Sequence, residues 1–228
     1  MGAAAQMALC VQNVGNDANT LILLHMDGAD LGTTFTDSSA TGNTVTATGG
    51  VVTSSSSFAA PNFGRSSGKF PASGGLTVPD SAALRPGTGD FTVECWVRYN
   101  AGSVAQVIYE KGLNTANSIL IQTDTSASPK ITVLINASSV VTETTGTATG
   151  VWVHKAIVRS SGTVTIYSNG AANGSASGAA TITVTSTIGI GCRADGVSAP
   201  LNGNLDELRY SNIARWTANF TPRGVPYS

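Results

Sequence analysis

The stretch Leu201-Asn-Gly-Asn-Leu-Asp-Glu-Leu-Arg-Tyr210 decides how the rest of this chain is read. Leu201, Asn202 and Gly203 open it as a glycine-containing turn. Leu205, Glu207 and Arg209 then alternate with Asp206, Leu208 and Tyr210. A period of two after a turn is the pattern of a β-strand. Alternation assigns Leu205, Glu207 and Arg209 to one face, and so places Asp206 and Glu207 on opposite faces.

The same pattern recurs outward from this strand. Phe91-Thr-Val-Glu-Cys-Trp-Val-Arg-Tyr99 alternates without a break. Phe91, Val93, Cys95, Val97 and Tyr99 face one way, and Thr92, Glu94, Trp96 and Arg98 the other. Thr20-Leu-Ile-Leu-Leu-His25 is a near-continuous apolar run, as in a strand covered on both faces. Residues 35–39, 43–48, 76–78, 104–110, 118–122, 130–135, 139–142, 181–185 and 187–191 read as further strands, and 49–57 as a loop. Pro79 stops one strand, and Asp80 is the expected N-cap of a single helical turn. Residues 151–159 and 163–168 form a hairpin. Asn169-Gly170 then supplies a type I′ turn, which needs φ > 0 at both central positions. Short strands at even spacing, with almost no helical period, predict an all-β, antiparallel two-sheet sandwich over residues 20–228. Residues 1–19 carry no period and are expected to form an N-terminal arm, removable over residues 2–17 without loss of folding.

Composition sets limits on function. A chain of 228 residues is long enough for one large β domain. Charged residues are 11 %, far below the usual share of roughly 25 %, yet 41 % hydrophobic content excludes a disordered chain. A net charge of −1 with scattered Lys and Arg argues against nucleic acid as a partner. No apolar run approaches the ~18 residues of a membrane span, so membrane insertion is not expected. The first residues lack a basic region, so no secretory signal is expected. Cys10, Cys95 and Cys192 are read as free thiols, with a Cys95–Cys192 bridge as the alternative.

Several landmarks in order carry a resemblance to a known family. They are the opening at residues 19–39, Phe63-Gly-Arg-Ser-Ser-Gly-Lys-Phe70, Gly89-Asp-Phe-Thr-Val-Glu-Cys-Trp-Val97, Trp152-Val-His154-Lys-Ala156 with Ser168-Asn-Gly170, and Gly203-Asn-Leu-Asp-Glu-Leu-Arg209. Together they resemble the laminin-G-like, concanavalin A-like jelly rolls, with Lys155 and Asn169 as mild departures. The opening and the tail Ala214-Arg-Trp-Thr-Ala-Asn-Phe-Thr-Pro222 are similar to the form this module takes in many bacteriophage virion proteins. The resemblance implies a non-enzymatic protein of the virion surface, made in the host cytoplasm. A capsid (head) decoration protein is the expected role, with the major capsid protein or tail proteins as partners and a homo-oligomer, such as a trimer, as the assembly. The alternative is a tail fibre or receptor-binding adhesin that takes host-surface polysaccharide. A glycoside hydrolase is the third rival.

The residues bear on these rivals. Retaining glycosidases need two carboxyl groups about 5 Å apart, and Glu94, Glu143 and the Asp206-Glu207 pair offer no such spacing along a strand. His25 and His154 lie inside apolar strands and are assigned structural hydrogen bonds. Glycan binding needs aromatic platforms with polar neighbours, for which Trp96, Trp216, Tyr210, Arg193 and Asp195 are the leading candidates. Tyr109, Tyr167 and the loops 111–117 and 193–200 are further ones, while Trp152, between two valines, is assigned to the core. The resemblance allows one cofactor, a structural calcium ion. Oxygen ligands would come from Asp27, Asp30 and Asp206, because first and last strands of jelly rolls lie side by side. The alternative has Asp27 and Asp37 serving turns and Asp206 pairing with an arginine.

Overall fold

A computed structural model describes residues 15–56 and 66–228. Cys10, most of the expected arm and the start of the Phe63-Gly landmark lie outside them. In chain order the strands are β1 Thr20–Leu24, β2 Thr46–Ala47, β3 Val52–Ser54, β4 Ser67–Pro71, β5 Leu76–Val78, β6 Phe91–Tyr99, β7 Val107–Lys111, β8 Ile119–Thr123, β9 Ile131–Ile135, β10 Ser138–Thr142, β11 Trp152–Ser160, β12 Thr163–Ser168, β13 Ala171–Ser177, β14 Ile188–Ile190 and β15 Asn202–Ser211. One sheet runs β13-β12-β11-β6-β15-β4-β3, with β1 beside β15. The other runs β10-β9-β8-β7-β14-β5-β2. The strand pairs are antiparallel, and the two sheets form the sandwich that the alternation predicts.

The core between the sheets takes the apolar side of each alternating strand. Phe91, Val93, Cys95, Val97 and Tyr99 of β6 meet Ile119 and Ile121 of β8, Ile131 and Val133 of β9 and Ile188 and Ile190 of β14. Cys95 and Cys192 are buried free thiols, each pushed up to about 12 by burial first and a neighbouring carboxylate second.

The deciding strand departs from simple alternation at one point. In β15, Asp206 pairs with Trp96 and Arg209 with Glu94, so a bulge sits between them. Glu207 occupies it with φ of 48°. The extra residue brings Leu205, Leu208 and Tyr210 together in the core and leaves Asp206, Glu207 and Arg209 on the outer side. The expected placement of Leu205, Glu207 and Arg209 on one face, with Asp206 opposite Glu207, is therefore corrected. The bulge also marks a change of partner. Before it, Asn202–Leu205 pair with β4; after it, Leu208–Ser211 pair with β1.

The outer face of the same sheet is covered by the chain's own tail. Ala214, Trp216 and Phe220 pack on Ala156, Val158 and Tyr167 of β11 and β12. Phe220 stacks on Trp216 at 3.8 Å and meets Tyr167 and His154 edge-on. Residues 15–19, which the sequence assigns to the arm, are tied to this tail. Asn16 N–H donates to Ser228 O at 3.2 Å, and Asp17 forms an ion pair with Arg215 at 2.7 Å.

Other differences from the sequence reading have local causes. The sequence pattern does not mark β13, because its small polar residues carry no apolar alternation, whereas residues 181–185, expected as a strand, make only an isolated bridge from Ile182 to Gly87. Residues 49–57 contain β3, which the low-complexity serines conceal. The helical turn is the 3-10 segment Ala82–Leu84, with Ser81 at its N-cap. Asp80 instead pairs with Arg85 and with the Lys111 ammonium.

Candidate functional site

The connection between β10 and β11, residues 143–151, crosses from one sheet to the other. Together with the start of β11, Asn169 of the turn and the start of β13, it lines an open cleft of about 320 Å³. Thr145, Thr147, Trp152, Ser168, Asn169 and Asn173 line it, alongside Val151 and Val153. No lining residue is charged. Register explains why a tryptophan stands here. Ser168, the last residue of β12, pairs with Lys155, so Trp152 overhangs the hairpin by three residues. It lies partly exposed at the sheet end and not in the core to which the sequence assigns it.

Buried chemistry fixes the cleft's walls. Asn173 Oδ1 accepts from Thr144 Oγ1 at 2.7 Å and Thr145 N–H at 3.0 Å, and its Nδ2 donates to Thr145 O and Ser168 Oγ. Ser168 Oγ donates to Glu143 Oε1 at 2.5 Å and accepts from Lys155 Nζ at 2.9 Å. Glu143 and Lys155 form an ion pair at 2.6 Å, each side chain no more than 1 % exposed. Burial pulls the Lys155 ammonium below its ordinary value, against the opposing charge of Glu143. Asn169 Oδ1 accepts from His154 N–H at 2.9 Å. That leaves the Asn169 amide nitrogen and the Trp152 indole N–H, Thr145 hydroxyl and Thr147 hydroxyl without protein partners among the described residues.

A second polar cluster lies beneath the tail. Glu94 Oε1 accepts from Arg209 Nε at 2.9 Å and Nη2 at 2.5 Å. Glu94 Oε2 accepts from the Trp216 indole at 3.0 Å and the Tyr227 hydroxyl at 3.1 Å. Burial would raise the Glu94 pKa, but Arg209 and the surrounding donors hold it far below the carboxylate range. The Tyr227 ring lies 3.9 Å from the Arg209 guanidinium carbon. Glu207 accepts from Tyr227 N–H at 2.9 Å and contacts His25 Nδ1 at 2.8 Å. This cluster fastens tail to sheet, and His154 joins it with Nε2 3.3 Å from the Tyr227 hydroxyl and 3.5 Å from Glu94 Oε2.

The glycan candidates chosen from sequence are scattered over the molecule. Trp96 meets His154 edge-on, and Trp216 is committed to Phe220 and Glu94. Tyr210 is 1 % exposed and stacked on Tyr109 inside the core, which leaves no open face for a sugar. Tyr167 lies under Phe220. Arg193 is paired with the buried Glu110 at 2.9 Å. Asp195 holds its own loop by accepting from Val197 N–H, Ser198 N–H and the Ser198 hydroxyl. The residues that do converge on a cleft, Trp152, Asn169 and Asn173, are not among them.

β1 and β15 are paired as the calcium argument requires, but the ligands are not assembled. Asp27 and Asp30 are exposed, and Asp30 accepts from Ser55 N–H. Asp206 is buried, with Oδ1 accepting from Glu207 N–H. Asp37 serves a turn, taking Leu23, Ser39 and Asn43 N–H groups. Among the described residues no three carboxylate, imidazole or thiolate groups are placed to hold a metal. The donor set does not fit a calcium ion, which takes six to eight oxygens.

Comparison with known proteins agrees with the fold. Domain 4 of AbnA, a GH43 extracellular arabinanase from Geobacillus stearothermophilus, in complex with arabinotriose, aligns with a TM-score of 0.65 at 16 % identity, over 88 % of this chain and 94 % of that one. The binding domain of Paraclostridial Mosquitocidal Protein 1 aligns at 0.60 and 16 %, over 86 % and 49 %. The binding domain of Botulinum Neurotoxin DC in complex with SialylT aligns at 0.60 and 14 %, over 86 % and 48 %. This chain thus spans about half the length of the two toxin domains. No curated protein matches the sequence. The family model described as the concanavalin A-like lectin/glucanases superfamily matches residues 70–218, most of the described sandwich, and the chain belongs to that superfamily.

Proposed function

We propose that this chain is a non-enzymatic carbohydrate-binding protein displayed on a bacteriophage particle, with the cleft beside Trp152 as its sugar site. The cleft carries the reading. A partly exposed indole offers an apolar face of the kind a sugar ring's C–H groups pack against. Uncommitted donors and acceptors on Asn169, Thr145 and Thr147 surround it, as in small-molecule sites where a few polar groups fix orientation. All four glutamates favour binding over hydrolysis as well. Glu94, Glu110, Glu143 and Glu207 are each buried and committed, to Arg209, Arg193, Lys155 and Tyr227 N–H respectively. None is poised as a general acid beside a bound glycan.

The virion setting rests on the opening and tail segments, which resemble phage modules. Within it, head decoration is the favoured role, with the major capsid protein as partner. A receptor-binding tail module is the second reading, favoured by the toxin binding domains, where a related fold makes up part of a longer chain. Counting copies per particle separates the two. A number matching the capsid lattice supports decoration, and a number matching a tail supports adhesion.

Glycan-array binding followed by calorimetry tests the site. Trp152→Ala should abolish binding with little change in melting temperature, because the ring is partly exposed and lies beyond the end of β12. Full binding by Trp152→Ala would remove the cleft from the account.

A further inference from the structure

We propose that the sugar site extends from the cleft onto a basic strip of the outer sheet face and takes acidic saccharides, with Arg98 receiving the carboxylate. This deepens the carbohydrate-binding reading above and rests on it.

Register places the strip. Arg98 of β6 lies directly across from Trp152 on one side and from Asn204 of β15 on the other, and Asn204 in turn faces Lys69 of β4. Directly opposed residues share a face of the sheet, with Cβ atoms about 5 Å apart. Val97 and Tyr99 point into the core, so Arg98 and its row point outward. Trp96, two residues before Arg98, is the diagonal neighbour of Trp152 on that face. Both indoles and Arg98 are partly exposed, and Lys69 is exposed. The tail covers a different part of the face, over Ala156, Val158 and Tyr167. Four strands in a row reach across about 14 Å, which is more than the width of one sugar ring.

The strip has positive charge without a counterion. Arg98 donates through Nε to Gly150 O at 3.0 Å and through Nη1 to Asn100 Oδ1 at 2.7 Å, both neutral acceptors. Among the described residues its Nη2 meets no acceptor, and neither Arg98 nor Lys69 is ion-paired. Asp206, in the next row opposite Trp96, is buried and accepts from Glu207 N–H. Beneath the cleft, Glu143 and Lys155 cancel one another. Lys130, beside Gly146 on the cleft wall, acts on Asp124.

The bond to Gly150 also fixes where the guanidinium sits. Residue 150 belongs to the connection that lines the cleft, so the cleft's own wall holds Arg98 in place beside Trp152. A planar guanidinium with two nitrogens anchored and a third open loses little further freedom on meeting a carboxylate. A sugar ring resting on the Trp152 indole has Arg98 one strand spacing away. Charge-assisted hydrogen bonds are roughly twice as strong as neutral ones, so the acid is favoured over its neutral form.

The experiment compares sialyl-oligosaccharides and uronate oligosaccharides with the same compounds methyl-esterified at the carboxyl, by calorimetry at low and high salt. The wild type should bind at least one acid about fivefold more tightly than its ester, the scale of an exposed charge pair. That gap should close in high salt. Which acid shows it separates a sialic from a uronic source. Arg98→Gln should bring acid and ester to equal affinity while the ester still binds. Lys69→Gln, which leaves the Gly150 bond in place, should narrow the gap and serves where Arg98→Gln fails to fold. Loss of acid and ester together in a folded Arg98→Gln makes Arg98 a support of the wall and overturns its role as receiver. Equal affinity for acid and ester in the wild type, or a gap unchanged in every charge variant that folds, overturns the acidic preference. Trp152-dependent binding in those cases leaves the sugar site standing. Binding of neither acid nor ester overturns the preference too, and a Trp152-dependent neutral glycan on the array then keeps the site. Binding that ignores Trp152 overturns the site and the preference with it.

Discussion

Glu94 gathers the side chains of Arg209, Trp216 and Tyr227 on one carboxylate. Arg209 is fully buried and its remaining bond goes to Gly15 O, so the carboxylate is its only countercharge among the described contacts. Removing one partner of such a pair costs about 3–5 kcal/mol. Glu94→Gln should therefore lower the melting temperature by roughly 10 °C in a chain of this size, measurable by calorimetry. His25 makes a gentler, pH-dependent contribution. Its hydrogen bond to Glu207, against the opposing effect of burial, raises its pKa above 6.5. A raised histidine pKa stabilises fully below the unfolded value and loses that stabilisation as pH rises through the folded value. The wild type should accordingly exceed His25→Gln in melting temperature at about pH 5, with the gap closing by about pH 9. Tyr210 gives the opposite kind of test. Its hydroxyl is buried without a hydrogen-bond partner among the described residues, an arrangement that costs about 1–3 kcal/mol. Tyr210→Phe should melt at the same or a higher temperature, and glycan binding should be untouched.

Among elements, β15 shows why part of this architecture is written in local sequence and part is not. Although Gly203, expected in a turn, lies inside the strand and is paired with Phe70 and Tyr99, the strand's character and extent follow from the pattern of Leu201–Tyr210. The bulge does not, because Leu205, Leu208 and Tyr210 can reach the core together only through an extra residue, and nothing in Asp206-Glu207 marks it. What fixes it is tertiary: β15 changes partner from β4 to β1 there, and the tail supplies Tyr227 to meet the Glu207 carboxylate. Glu207 holds φ of 48°, a left-handed conformation that costs a residue with a Cβ about 1–2 kcal/mol. Replacement by alanine keeps that cost and loses the contacts to His25 and Tyr227, whereas glycine loses the contacts alone. Glu207→Gly should therefore unfold at a higher denaturant concentration than Glu207→Ala, the reverse of the order usual inside a strand. The cleft had a signal that residue type concealed. The turn at residues 160–163 sets the hairpin register, which places Trp152 beyond the end of β12 and so outside the core. Two flanking valines suggested otherwise, yet Val151 is itself 50 % exposed. β13, the remaining wall, has no apolar period, so Asn173 could not be placed from the sequence.

At the scale of the whole molecule, the two ends of the described chain meet on one sheet, and this changes what a truncation of the arm tests. The sequence, lacking any period over residues 1–19, predicts that residues 2–17 can be removed without loss. Residues 15–17 are integral to the sandwich instead. Gly15 O accepts from Arg209 Nη1 at 2.8 Å, and Asp17 accepts both Arg215 Nη groups. Burial would raise the Asp17 pKa, and the Arg215 guanidinium holds it below the ordinary carboxylate value, consistent with a formed pair. Arg215 is 3 % exposed and also donates to the hydroxyls of Ser211 and Thr20, and loss of Asp17 removes the carboxylate it is paired with. Breaking a buried ion pair costs about 3–5 kcal/mol, and the partial exposure of Asp17 and the other bonds of Arg215 place this case at or below the lower end. Removing residues 2–17 should therefore lower the melting temperature well below that of a chain lacking residues 2–14, the difference being set by three residues alone. Equal melting temperatures for the two truncations would show that Asp17 contributes nothing to the fold. The shorter truncation is then the proper probe of attachment, because it leaves the sandwich's own contacts whole. If residues 2–14 carry the chain onto a particle, their loss should abolish incorporation while glycan binding at the cleft, on the far edge of the sheet, persists. Undiminished incorporation would place attachment in the sandwich itself.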